Sequence, residues 1–216
     1  MAKKKNDDGA VFLLAIIAFI AFLPFLFFSV LKYRKLKKKY TAIPNVQRVY
    51  DTGVIYKTIA AALAILALSA VIFLGINSVI VKNMPPEFSS VSGKFFIIVF
   101  PIVMLWPMKK MAERVAVEYF GVIFNDNDRS LLLPYDIQNM SFGDQLRLRF
   151  ISRLGDQERI EINKITNLTR EKGINFYIHG DFGSRKINFT NKQKRDECIA
   201  ALQVRSRTKS GRDYGY

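Results

Sequence analysis

The sequence predicts a membrane protein: three transmembrane helices followed by a β-rich α+β domain of about seven antiparallel strands and a C-terminal helix. Three observations carry that expectation. Ala10 to Leu31 holds no charged residue, and about 20 apolar residues in a helix span the hydrocarbon core of a bilayer. Thr58 to Val81 is a second run without charge. Beyond Met111 the apolar residues begin to alternate with period two, the mark of half-buried strands.

With 216 residues, 50% of them hydrophobic, the chain is too apolar to remain disordered and long enough for a membrane part plus one small domain. The formal net charge is +15. Much of the excess lies between residues 32 and 57, where Lys32, Arg34, Lys35, Lys37, Lys38, Lys39, Arg48 and Lys57 face only Asp51. A single cysteine, Cys198, and a single histidine, His179, exclude an intrachain disulfide framework and argue against a Cys/His metal site. The lone cysteine fits a reducing compartment.

Residues 1–9 form a polar tail, and 10–31 the first span. A secretory signal peptide is the rival reading, with Lys3, Lys4 and Lys5 as its basic start. The apolar run is longer than a usual signal core, and a basic cluster rather than a small-residue cleavage site follows it. Pro24 removes a backbone donor, so the span is kinked there or folds back as a re-entrant hairpin.

Residues 32–57 are expected to be a basic cytoplasmic loop whose start continues as a helix. Tyr33, Leu36 and Tyr40 share one face, while Lys32, Arg34, Lys35, Lys37, Lys38 and Lys39 occupy the rest. The pattern suits an orientation signal, and also a helix at the headgroups contacting anionic lipid, where each cation contributes about 1 kcal/mol. The second span, 58–81, is rich in alanine. Ala60 and Ala64 with Ala67 and Ala70 form a candidate packing face against the first or third span. No intramembrane charge marks an ion path.

An external loop at 82–88 leads to a third span at 89–108, in which Lys94 has to snorkel and Trp106 with Lys109 and Lys110 forms an interfacial end. Three spans place the basic loop and the C-terminal domain on one side and both 1–9 and 82–88 on the other. Two spans would set the most basic loop opposite both tails. The N-terminus is therefore expected outside and the domain, 109–204, in the cytoplasm.

Strands are expected at Val115–Phe124 with an irregularity at Gly121, Leu131–Pro134, Ile137–Phe142, Leu146–Ile151, around Ile160, at Phe176–His179 and at Lys186–Phe189, separated by turns at 125–128, 155–156 and 180–183. Thr190 and Gln193 form a capping-box pattern opening the last helix. Cys198, Ile199, Leu202 and the stem of Arg195 share its inner face, with Lys192, Lys194 and Glu197 outside. Residues 205–216 read as a disordered basic tail.

Antiparallel strands followed by one amphipathic helix is the order of the pleckstrin-homology-like (PH-like) superfold. Residues 115–204 resemble a bacterial PH-like domain of the membrane-anchored kind. The resemblance is carried by Leu133-Pro134-Tyr135-Asp136-Ile137 after an early strand and by Arg185-Lys186-Ile187-Asn188-Phe189 running into the capped helix. It implies a binding or scaffold domain without catalysis, and it names no ligand. Phosphoinositide-binding relatives use a basic first hairpin. Here the corresponding turn, Asn125 to Asp128, carries two acids, Asp126 and Asp128, which argues against that ligand.

Asp181-Phe182-Gly183 spells a kinase motif but lacks its companion loops, and reads as a turn. No phosphate-binding loop or nucleophile elbow occurs. Asn139, Asn167 and Asn188 begin glycosylation sequons, which are chance matches in a cytoplasmic domain. Arg147, Arg149, Arg153 and Arg159 could form a basic face for nucleic acid or lipid, yet Asp144, Asp156, Glu158 and Glu161 are interleaved, and cross-strand pairing accounts for them equally. The sequence contains no recognisable catalytic set, cofactor site or metal site. The expectation is a non-enzymatic scaffold or subunit of a bacterial inner-membrane assembly, of secretion, conjugation or transport type. Its expected partners are membrane lipids and other subunits or copies of itself, not nucleic acid. The alternatives are an anionic-lipid sensing module and a membrane enzyme whose site is unrecognised.

Overall fold

The computed structural model describes residues 7–83, 85–137, 140–147, 149–170 and 173–206. Side chains within helices at 7–21, 66, 70, 74, 86–98, 100–101 and 145–146 fall outside the description. The architecture is mixed α+β: three long helices, two antiparallel sheets with seven strands between them, and a C-terminal helix.

Helix α1, Asp7–Thr41, has 35 residues and is about 52 Å long at 1.5 Å per residue. It runs unbroken through Pro24, so the re-entrant alternative does not form. Strand β1, Val46–Val49, follows, then α2, Thr52–Asn83, and α3, Pro86–Phe120. Among the described residues one helix, α2, is long and apolar enough to cross a membrane, and only 7% of its apolar window is buried by the rest of the chain. Three such helices were expected. The spans at 10–31 and 89–108 do fall on long helices, but largely on side chains outside the description.

The first sheet has the order β1-β2-β3-β4, with β2 at Val122–Asn125, β3 at Ser130–Pro134 and β4 at Gln157–Glu161. The second has the order β5-β6-β7, at Ile165–Arg170, Phe176–Gly180 and Gly183–Ile187. Between β3 and β4 lie two one-turn helices, α4 at Phe142–Leu146 and α5 at Arg149–Arg153. Helix α6, Lys192–Ser206, closes the domain.

The first sheet is covered on both faces over β2 and β3, while Arg159 and Glu161 leave β4 exposed on its outer side. Val49, Val122, Phe124, Leu131, Leu133 and Ile160 point into a core shared with the second sheet and with Cys198, Ile199 and Leu202 of α6. Ile123 and Leu132 point the other way, under Tyr33, Leu36 and Tyr40 of α1 and Val117 and Phe120 of α3. The Tyr33 face thus packs on protein rather than at the headgroups. Tyr33 meets Tyr119 at 5.1 Å between ring centroids, Tyr40 meets Phe120 at 5.8 Å, and the Tyr40 hydroxyl donates to Gln157 Oε1 at 3.1 Å.

Several expectations are corrected here. Residues 115–119 are helical: the period-two valines coincide with a helical repeat in which Met108, Met111, Ala112 and Val115 are buried on one face. Gly121, at φ 80°, ends that helix. A Cβ there would lie 2.4 Å from the Val49 carbonyl oxygen, so glycine alone lets α3 turn directly into β2. The described residues of 137–142 and 146–151 are not in strands. β3 and β4 pair directly, and between them the backbone at Phe142–Leu146 and Arg149–Arg153 closes local helical turns, the first capped by the Ser141 hydroxyl accepting the Asp144 N–H. Two strands absent from the expectation replace them. β1 lies inside the supposed loop at 32–57 and pairs with β2. β5 has its alternation broken by a bulge between Ile165 and Asn167. The first sheet thus includes Val46–Val49, ahead of the two helices that precede the rest of it.

Candidate functional site

The long helices enter the first sheet through a joint built from several separate parts of the chain. Tyr50 and Asp51 alone separate β1 from α2, and Gly121 alone separates α3 from β2. The α2–α3 hairpin is thus inserted between two neighbouring strands. Asp51 sits at its base. Its carboxylate accepts the Gly53 N–H at 2.9 Å, the Thr190 hydroxyl at 2.9 Å, the Asn191 N–H at 3.1 Å and the Thr190 N–H. Burial pushes this carboxyl up, but the Thr190, Gly53 and Asn191 donors outweigh it and hold it below the usual aspartate range.

This arrangement corrects the expected capping box. Thr190 spends its hydroxyl on Asp51, and the cap of α6 is Asn191, whose Oδ1 accepts the Gln193 N–H at 2.8 Å. The predicted inner face of α6 is observed: Arg195, Cys198, Ile199 and Leu202 are buried. Arg205 belongs to the helix rather than to a tail, and its guanidinium donates to Asp126 at 2.5 Å and to Gln47 at 2.9 Å. Residues 207–216 lie outside the described residues.

Arg48 completes the joint. Its guanidinium lies 4.3 Å from the Tyr50 ring centroid and 4.5 Å from that of Phe120, and donates to the Tyr119 carbonyl at 3.1 Å. A cation stacked on aromatic rings at a partly buried site contributes about 1–2 kcal/mol. Beside it opens a cavity of about 190 Å³, lined in part by Asp51, Arg114, Glu118, Asp136 and Lys186. Its charges are engaged: Asp51 as described, and Arg114 with Glu118 and with the Tyr135 carbonyl at 2.6 Å.

The basic residues of α1 face away from the sheet. Arg34, Lys35, Lys37, Lys38 and Lys39 are exposed, and Lys32 is half-buried. Burial lowers the Lys32 pKa, with Lys110 and Lys35 acting in the same direction and Glu113 and Asp156 against it. Ala60, Ala64 and Ala67 are exposed, and Ala62, with Ile55 and Ile59, packs against Phe25, Met108 and Met111. The side chain of Ala70 lies outside the description.

The remaining candidates have structural surroundings. His179 is held between the Thr169 and Ser184 hydroxyls, each at 2.7 Å, in a ladder across the second sheet. Asp181-Phe182 is the turn between β6 and β7. Burial raises the Cys198 thiol pKa far above its usual value, so it behaves as a small apolar side chain. Arg159 pairs with Asp128 at 2.7 Å and Arg149 with Asp144 at 3.0 Å. Asn139 lies outside the described residues. Among the described residues no cluster of three or more His, Cys, Asp or Glu could hold a metal ion.

Sequence reasoning did not find Asp51 or Arg48, and marked Gly121 only as an irregularity within a strand. The available signal was the interruption of a strongly basic stretch by a single acid, Asp51. No protein-family model, no curated protein and no solved structure matches the chain.

Proposed function

We propose that the protein is a non-enzymatic scaffold or subunit of a bacterial inner-membrane assembly, with α1, α2 and α3 crossing the bilayer and a PH-like domain displayed in the cytoplasm. The observation that carries this reading is the insertion of the α2–α3 hairpin between β1 and β2 through connectors of one and two residues. Such a joint passes a tilt of the helices to the sheet without slack, which suits a part that positions a binding domain. Exposed Leu63, Ile65, Leu68, Val71, Ile72, Ile76 and Val79 on α2 need lipid or another membrane helix as their surroundings. Four antiparallel strands, three more, and a closing helix, in sequential order, support the PH-like comparison with β1 included.

Extraction from native membranes in mild detergent, followed by sizing, tests the role. The expected result is a complex well above the 24.8 kDa chain, containing copies of it or further proteins. A lone monomer without co-purifying protein contradicts it.

A second reading, contact with anionic lipid, is favoured by the outward display of Arg34, Lys35, Lys37, Lys38 and Lys39 beside the half-buried Lys32. Neutralising them together is expected to reduce the anionic lipid that co-purifies with the chain while leaving the domain folded.

A further inference from the structure

We propose that the β3–β4 insertion is a foot that rests on the anionic headgroups of the bilayer, with Phe142 entering the acyl boundary and Arg147, Arg149 and Arg153 meeting lipid phosphates. The inference rests on the membrane reading and adds to it a specific surface and ligand chemistry. Position is the first argument. Beyond the paired strands the insertion continues along α3: the Tyr135 N–H donates to the Asp156 carbonyl at 3.1 Å, and Arg114 donates to the Tyr135 carbonyl at 2.6 Å. A Cβ on Gly155 would lie 2.5 Å from the Glu113 Cβ, and Leu154 packs into the cluster of Phe25, Met108 and Met111. Glu113 and Asp156 both act on the charge of Lys32, the first cation after the apolar run of α1. The insertion therefore stands level with Lys32, Lys109 and Lys110, where the helices leave their apolar stretches, about 5 Å along the axis from Glu113 to Lys110.

Chemistry is the second argument. Phe142 is 74% exposed, and α5 buries none of its described side chains. Arg147, Arg149 and Arg153 are all exposed. Asp144 neutralises Arg149 in part at 3.0 Å, and Asp156 stands 3.9 Å from Arg153. An exposed aromatic ring among guanidinium groups at this height complements an anionic interface, in which rings sit at the headgroups and cations pair with phosphate.

Two forms of the full chain in vesicles of brominated lipid test the proposal. The natural chain reports through its one tryptophan, Trp106. The second form carries Trp106→Phe and Phe142→Trp. The expected result is quenching of Trp106 in every vesicle, and of the Phe142→Trp reporter when the vesicles contain phosphatidylglycerol. Each arginine at an anionic surface contributes roughly a factor of five, so R147A/R149A/R153A weakens the contact on the order of 100-fold and returns the reporter to water-like emission. Arg147→Ala alone gives a partial loss in the same direction.

An unquenched Trp106 overturns the membrane reading itself. A quenched Trp106 beside an unquenched reporter overturns only the foot, and blue-shifted but unquenched emission assigns that surface to a contact between copies of the chain instead. Equal quenching in phosphatidylcholine alone overturns the assignment to anionic lipid.

Discussion

Asp51 ties together parts of the chain that lie far apart in sequence, and its environment makes specific demands. Replacing it with alanine strands the N–H groups of Thr190, Asn191 and Gly53, and each buried donor left without a partner costs about 1–3 kcal/mol. Asp51→Ala is therefore expected to lower the thermal midpoint of the domain, measured by circular dichroism in detergent. The pH dependence has a definite sign. The folded pKa lies below the unfolded value of about 3.9, so the stabilisation is complete above that value and fades as pH falls through the folded pKa. The difference in midpoint between the natural chain and Asp51→Asn should stay constant near neutrality and shrink below about pH 4. Asp126 follows the same rule through its hydrogen bonds from Arg205. Gly121→Ala should be more damaging, because it adds a Cβ against the Val49 carbonyl at a positive φ.

The elements show which patterns the residues carried on their face. β2, β3, β4, β6 and β7 were legible because apolar alternation and turn residues coincide there. The inner face of α6 was legible from its helical spacing. β1 was not, since four residues behind Pro44 carry little pattern, and its partner lies beyond two long helices. The end of α3 was misread because Val115, Val117 and Tyr119 satisfy a period of two while the burial follows 3.6. The joint at Asp51, Arg48 and Gly121 depends on residues brought together from four separate elements, which spacing along the chain cannot register. Leu36 is buried over the first sheet, and Leu36→Ala is expected to cost about 2–5 kcal/mol, read as a drop in the unfolding midpoint of the domain rather than of the apolar helices. A fragment of residues 109–206 lacks β1 and the α1 cover on Ile123 and Leu132, so it should aggregate or stay partly unfolded. A dispersed, cooperative NMR spectrum from that fragment would contradict the role assigned to β1 and α1.

At the scale of the whole molecule, the three long helices and the first sheet are joined by short connections, and the helices cover the outer face of that sheet over Ile123 and Leu132. On the proposed reading the chain stands in a bilayer with the α2–α3 turn outside, where α2 ends at Asn83 and α3 starts at Pro86, and the domain inside. Labelling of intact and permeabilised cells with a membrane-impermeant thiol reagent tests it most directly. On a Cys198→Ser background, Glu87→Cys is expected to label in intact cells, and Lys192→Cys, at the exposed start of α6, only after permeabilisation. Labelling of Lys192→Cys in intact cells, or protection of Glu87→Cys until the membrane is opened, would contradict the account.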